Sequence, residues 1–404
     1  MNKPVTEFST IAAARANYPA LERWTYMDLA GRGVLSRGVR AAIDAQLDER
    51  MMNGGDKEKF FALIERARGR FAQLINAEPD EIAFTKNISE GLNMIATGID
   101  WQKGDNVIVC PELEHPNNVY PWLNLRERGL EVRAVKPRAG HIPADEIIAR
   151  MDARTRVVTA STVTFAPGFR TDIDTLGRAC RGRGVLFLVD GAQSVGVLHT
   201  DVKKSNVDAL AVSTQKGLLG LYGMGFLYCR REWAEKLRPA YLARFGVDLG
   251  EAHEASMGNE AFKLMPAARR FDLGNYNFVG AAAVDAAMGE VLGHGTPQVE
   301  RYVTQLGHAL AQGFLDLGLP VSGGKPGPHL AHIVTVGMMD DNHYGSNDDK
   351  FNRLYAWLGE NRVKLSIRRG VLRFSLHLYN NMDDVARVLE LTQSFLAADK
   401  RRSE

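Results

Sequence analysis

Cysteine is scarce in this chain. Cys110, Cys180 and Cys229 are odd in number and scattered, with no Cys-x-x-Cys spacing, which argues against a disulfide framework or a zinc knuckle. Net charge is nearly absent as well: 50 basic side chains stand against 48 acidic ones, and the balance of +2 gives no electrostatic reason to expect nucleic acid or an anionic membrane as partner. No apolar run approaches the roughly 20 residues of a bilayer span. The opening Met1-Asn-Lys-Pro-Val-Thr-Glu lacks an apolar core of signal-peptide length. These absences predict a cytoplasmic protein with reduced thiols and a small-molecule partner. No internal repeat or low-complexity linker marks a domain boundary.

What is present is a long chain with repeated short apolar runs. A length of 404 residues exceeds one ordinary core, so two domains are expected. From Ile82 onward, strand-like runs at Asn106–Cys110, Arg156–Ala160, Val185–Val189, Leu210–Val212 and Gly225–Cys229 alternate with amphipathic stretches. That alternation predicts an α/β fold with a mainly parallel sheet covered by helices on both faces. After Gly274-Asn-Tyr-Asn-Phe278 the pattern changes to helical stretches at Val279–Leu292 and Tyr302–Leu317, then strand-like runs at Ile333–Val336 and Leu372–Leu376. The expected division is a large domain over residues 20–285 and a smaller α+β domain formed by residues 1–19 and 286–404.

Two residues at the ends of such runs carry the chemistry. Asp190 ends the apolar run Val185–Val189, where a parallel sheet delivers side chains to a ligand crevice. Lys216 follows the run Val207–Ser213 among Gly217, Gly220, Gly223 and Gly225, in a loop that permits close passage beside a ligand. Partial desolvation there favours the neutral amine that a Schiff base requires. A buried acid suits a cofactor with a basic ring nitrogen. Pyridoxal phosphate requires this pair of residues.

Other pieces are suggestive only in this company. Asn87-Ile88-Ser89-Glu-Gly91 lies between a strand-like run and a helical pattern, with Ser89 as N-cap candidate, and such a helix start suits a phosphate. Read alone, it is an ordinary capped helix. His115, in Glu112-Leu-Glu-His-Pro-Asn-Asn118, can stack on a planar ring, although a lone loop histidine is commonly just a surface group. Gly191 and Ala192 allow a ring to approach, and Gln193 offers a neutral donor to a phenolic oxygen. Arg373 interrupts an apolar strand and suits a substrate carboxylate, or else a structural ion pair. The stretch Asp340–Asp349 is similar to a calcium loop, but Tyr344 and Phe351 occupy ligand positions, so a solvated loop is expected. Gly323–Gly327 lacks the ending of a nucleotide loop. His329, His332 and His343 have no metal spacing, and no metal is expected.

With these residues together, the chain resembles the class V aminotransferase family of fold-type I pyridoxal-phosphate enzymes, which includes cysteine desulfurases, kynureninase and isopenicillin N epimerase-like proteins. The motifs are Tyr26-Met-Asp-Leu-Ala30-Gly31, Asn87–Gly91, His115-Pro-Asn-Asn, Asp190-Gly-Ala-Gln193, Ser213-Thr-Gln-Lys216, Gly274-Asn275 and Arg373-Phe-Ser, in this order over nearly the whole chain. The resemblance implies a seven-stranded, mainly parallel sheet in the large domain. It implies pyridoxal 5'-phosphate bound as an imine to Lys216, its ring nitrogen paired with Asp190, its face against His115 and its phenolic oxygen near Gln193. Asn87, Ile88, Ser89, Thr162, Ser213 and Gln215 would complete the cofactor site. Arg373, with Ala30 and Gly31 nearby, would bind the amino-acid substrate. Family members are usually homodimers in which the segment around Asn275 reaches the partner's cofactor.

Departures narrow the expected reaction. Tyr355–Arg369 contains no Cys, Gln215 stands where desulfurases place His before the lysine, and Thr162 replaces their Asn. Persulfide chemistry therefore lacks its nucleophile, and the chain falls nearer the epimerase-like branch. Transamination or β-elimination is preferred, since either can run on one released lysine, whereas epimerisation usually needs a donor on the opposite face. An epimerase or racemase is the alternative, and a non-catalytic scaffold the opposing class. Arg32 is a further candidate for selecting an acidic side chain.

Overall fold

A computed structural model describes residues 9–250, 262–342 and 344–403. Residues 1–8 of the expected small domain, and His343, lie outside the described residues. The apolar runs become a central seven-stranded sheet. In chain order its strands are β1 (Ile82–Thr85), β2 (Asn106–Val109), β3 (Glu131–Ala134), β4 (Thr155–Ser161), β5 (Leu186–Asp190), β6 (Ala209–Ser213) and β7 (Gly225–Cys229). Their spatial order is β1-β7-β6-β5-β4-β2-β3. Only β7 runs against the others, antiparallel to both β1 and β6. The two reversals cancel, so β1 points the same way as β2 to β6, and all six deliver their C-terminal ends to one edge.

Unbroken apolar sequence is what a sheet covered on both faces requires. Along β5, Leu186 and Leu188 enter one core cluster while Phe187 and Val189 enter the other. β3 breaks the pattern. It pairs only with β2 at the sheet edge, and its Glu131 and Arg133 bond to each other, so a charged stretch with no apolar run is nonetheless a strand. Charge on an edge strand also discourages pairing with another chain.

Helices cover both faces: α1 (Arg37–Asn53), α2 (Lys57–Ile75), α3 (Ile88–Gly98), α4 (Ile173–Arg183), α5 (Phe278–His294) and α6 (Thr296–Asp316). α3 lies on β6 and β7, and α1 and α2 pack on α5. Asp285, where the domain division was expected, sits within α5 and pairs with Arg66 and Arg70 of α2. Beyond α6, an antiparallel three-stranded sheet is built from β8 (Ile333–Val336), β9 (Ser366–Arg368) and β10 (Val371–Ser375), in the order β8-β10-β9. Helix α7 (Asp349–Glu360) packs beside it, and α8 (Met382–Ser403) packs on α6 and α7.

The N-terminal segment ties the two sheets together. Met27 N–H donates to Lys364, Ser375 N–H donates to Met27, and Ala30 N–H donates to Ser375 Oγ at 2.7 Å. Three residues later, Gly33 N–H donates to the Gln215 carbonyl at 2.8 Å. A β-carbon at Gly33 would stand 2.9 Å from the Lys216 oxygen, so no side chain fits between the segment and the lysine turn. Among the described residues, no helix is long and apolar enough to cross a membrane.

Candidate active site

A cavity of about 1000 Å³ opens where the C-terminal ends of the sheet meet β9 and β10. Ala30, Gly31, Asn87, Ile88, Ser89, His115, Asp190, Gln193, Ser213, Gln215, Lys216 and Arg373 all line it. Residues spread over most of the chain thus converge because six strands end on one edge.

Asp190 is the last residue of β5 and is buried. Its Oδ1 accepts from Ala192 N–H at 2.9 Å, and Oδ2 has no protein donor among the described residues. Removal from water pushes its pKa up, opposed by that N–H and by Lys216. A buried carboxylate with one unused oxygen facing a cavity fits a cationic ring nitrogen. Lys216 shows the complementary effect: burial lowers its amine to about 8, with Arg373 adding to the shift and Asp190 resisting it. About a tenth of the amine is therefore neutral at pH 7.

The anion end of the site is the start of α3. Asn87, not Ser89, is its N-cap: the Asn87 backbone is extended and Oδ1 accepts from Glu90 N–H at 3.0 Å. Ser89 lies inside the first turn, which leaves its hydroxyl available to the cavity. Ile88 N–H donates to Ser213 Oγ at 2.9 Å, bringing the end of β6 against the helix start. Ser89, Ser213 and Gln215 thereby gather polar groups at a positive helix end, a donor set that fits a phosphate.

His115 is open to solvent on the cavity side and stands edge-on to Phe165 at 5.8 Å. Its Nδ1 accepts from Asn117 N–H at 3.2 Å, which leaves the proton of the neutral ring on Nε2. Partial removal from water, then Lys216 and Arg373, lower its pKa and favour that neutral form. Gln193 Nε2 donates to the Ala30 carbonyl at 3.2 Å, while the side chain still borders the cavity. Thr162 does not line the cavity; its hydroxyl bonds Asp190 O at 3.3 Å and Ser194 Oγ at 2.5 Å. Asn275 lies elsewhere, in a second cavity of about 550 Å³ with Phe60, Phe61, Arg244 and Phe245.

Arg373 is 3% exposed, yet no carboxylate forms an ion pair with it among the described residues. Nε donates to Ser366 Oγ at 3.0 Å and Nη1 to the Phe165 carbonyl at 2.9 Å, so the structural-ion-pair reading does not hold. Burial lowers its pKa to about 10, still far enough above neutrality to keep the charge. A held guanidinium with no direct ion-pair partner, its charge supported by the nearby Asp28, suits a carboxylate.

Several lining residues have no role in the sequence reading. Glu114 is fully buried beside Asp190, accepting from Ser161 N–H at 2.7 Å, Ser161 Oγ at 3.0 Å and Asn118 Nδ2 at 2.8 Å. Its position one residue before His115, after a strand, was the available signal. Asp340, Asp341 and Tyr344 of the expected solvated loop border the cavity instead, as do Arg368 and Arg369. Arg32 is exposed outside it; its N–H donates to the Asp28 carbonyl at 3.0 Å and its carbonyl accepts from Tyr26 OH at 2.8 Å.

Comparison with known proteins identifies the family and the fold. Residues 52–388 match the family model described as aminotransferase class-V. A probable cysteine desulfurase of Methanothermobacter thermautotrophicus is 30% identical over 387 residues, covering 92% of this chain and 94% of the relative. An uncharacterized aminotransferase, YcbU, of Bacillus subtilis is 26% identical over 377 residues, covering 93% and 95%. Among solved structures, a cysteine desulfurase from Thermococcus onnurineus shares the fold with a TM-score of 0.83 at 23% identity, covering 98% of this chain and 99% of that one. The cystine C–S lyase C-DES, in complex with its product cysteine persulfide, gives 0.82 at 22% identity, covering 93% and 99%.

Proposed function

The chain belongs to the aminotransferase class-V family of pyridoxal-phosphate enzymes, and from that premise we propose an aminotransferase or β-eliminating lyase acting at the Cα of an amino acid. The observation that carries this reading is the convergence of Lys216, Asp190 and an unpaired Arg373 on one cavity. Pyridoxal 5'-phosphate, when bound, supplies an electron sink for charge developing at the substrate Cα. Lys216 anchors it. Asp190 would keep the ring nitrogen cationic, His115 would cover the ring face, and Gln193 would donate to the phenolic oxygen. Asn87, Ile88, Ser89, Ser213 and Gln215 hold the phosphate.

Arg373 orients the substrate by its α-carboxylate, with Ala30 and Gly31 closing that side. With the cofactor and substrate held there, the buried Lys216 amine would serve as the base, Nζ taking and returning the Cα proton. Transamination and β-elimination both need only this single mobile base.

Relatives named cysteine desulfurases would suggest a persulfide instead. Such chemistry needs an accessible thiolate, and Cys110, Cys180 and Cys229 are all buried and none lines the cavity. Burial pushes Cys110, at the end of β2, up to about 12. A homodimer is part of the proposal: Met51, Met52 and Leu242 are exposed close in sequence to residues of the second cavity, where Asn275 lies.

The test is the visible spectrum of the purified protein before and after borohydride, with mass analysis of the peptide carrying Lys216. We expect a coloured protein that is bleached and labelled at Lys216, and Lys216→Ala without label or turnover. Amino acids assayed for transfer to an α-keto acid, for pyruvate with ammonia and for loss of optical rotation then separate the reaction types. Full turnover by Lys216→Ala would sink the reading.

A further inference from the structure

Beyond Arg373, the cavity holds two more guanidinium groups. Arg368 ends β9 and Arg369 begins the turn to β10, with φ of +51° at Arg369 followed by Gly370 at +82°. In the β9–β10 pairing Ser366 faces Arg373 and Arg368 faces Val371. Residues facing each other, and residues two apart, share one side of a hairpin, so Arg368 stands diagonally beside Arg373 on the cavity side.

Neither Arg368 nor Arg369 has a carboxylate partner among the described residues. Arg368 Nη1 donates to the Ile367 carbonyl at 2.7 Å, and its guanidinium lies 5.2 Å from the Tyr344 ring centre. Arg369 Nη1 donates to the Glu112 carbonyl at 2.5 Å, across the cavity mouth. These contacts orient each fork and leave most of its donors unused.

Three acids of the cavity wall, Asp340, Asp341 and Glu114, are engaged elsewhere. Asp340 accepts from Asn342 N–H and Asn347 N–H, both at 2.7 Å, and Asp341 from Asn347 Nδ2 at 3.2 Å. Glu114 is bound within its buried network. Two further cations on the wall that carries Arg373, with Asp340 and Asp341 bound within their own loop, form a site for a second negative group on the substrate.

We propose that Arg368 and Arg369 bind the distal anionic group of the substrate, so that the enzyme's amino acid carries an acidic side chain, a carboxylate or a sulfinate. This rests on the proposed function, because Arg373 must hold the α-carboxylate for the diagonal pair to meet the side chain. It also moves the acidic-selectivity role from Arg32, which is exposed outside the cavity, to the β9–β10 turn.

The test compares aspartate, glutamate and cysteine sulfinate with asparagine, glutamine and alanine on the cofactor-loaded enzyme, by Cα hydrogen exchange and turnover. We expect the ratio of kcat/KM for the best acidic substrate to that for its neutral counterpart to exceed tenfold. Arg368→Gln and Arg369→Gln should each lower that ratio tenfold or more, mainly through KM, with Arg368→Lys and Arg369→Lys restoring part of it. Equal reactivity of neutral and acidic amino acids, or a ratio unmoved by either glutamine variant, overturns the inference while leaving the proposed function standing. If no amino acid of either kind undergoes exchange, both fall.

Discussion

His377 Nε2 donates to the Gly217 carbonyl at 2.9 Å, so a residue just beyond β10 grips the turn that carries Lys216. The ring is committed at both ends, since Nδ1 accepts from Leu378 N–H at 2.6 Å. This neutral tautomer is the only form that serves both partners, and burial lowers the pKa to about 4. His377→Ala would leave the Gly217 carbonyl without its donor in a buried site, a loss of about 2–3 kcal/mol. A lower melting temperature and faster release of cofactor on dilution are expected together. Wild-type behaviour in both measurements would show that the grip has no effect on the lysine.

The lowered pKa of Lys216 has a kinetic signature. Imine formation requires the neutral amine, so capture of pyridoxal phosphate by the cofactor-free protein should speed up with pH until about 8 and then level off. An ordinary lysine would keep gaining up to about 10.4. Rapid-mixing absorbance between pH 6.5 and 10 distinguishes them. A rate still rising tenfold per pH unit above 9.5 would mean that the amine is not desolvated as described.

Much of this site is legible in the primary sequence because Asp190 and Lys216 follow apolar runs that can only be buried strands, and strand ends are where a parallel sheet presents side chains. Legibility stops where distant segments meet. Nothing near Arg373 reveals that the Phe165 carbonyl, 208 residues away, fixes its guanidinium, or that its ion-pair partner is missing. Asn87 and Ser89 are equally good caps by residue type. Only the extended backbone at Asn87, φ −172°, decides between them. β3 is not legible because its edge position leaves Glu131 and Ala134 exposed and Val132 and Arg133 half-buried, so the apolar signal that marks the inner strands is absent. Arg368 and Arg369 look like surface charge until the β9–β10 register puts them beside Arg373.

Glu114 ties the stability of the site to pH. Burial first, then the neighbouring Asp190, pushes it up to about 7, while Asn118 and Ser161 pull the other way. Its folded pKa therefore lies above the unfolded value, and the unfolded chain releases the proton earlier. Between about pH 4.5 and 7 this group subtracts stability as pH rises, by about 3 kcal/mol in all. Glu114→Gln removes this pH dependence. In cofactor-free protein, the melting temperature of Glu114→Gln should improve relative to wild type between pH 5 and 8. A constant difference across that range would mean that Glu114 is already ionised at pH 5.

Asp190→Asn tests the electrostatic core of the mechanism without changing shape. The amide can still accept from Ala192 N–H, so the fold around β5 should survive and the cofactor should still be captured by Lys216. What disappears is the negative charge facing the ring nitrogen. Without it the ring nitrogen is no longer held cationic, and the substrate Cα–H becomes a weaker acid. Removing one preorganised charge partner commonly costs about two to three orders of magnitude in rate. Exchange of the Cα proton with deuterated solvent, followed by NMR on the preferred amino acid, measures that step apart from product release. A fall of that size with unchanged cofactor content assigns Asp190 to the ring, whereas exchange within twofold of wild type would mean that another group keeps the ring protonated.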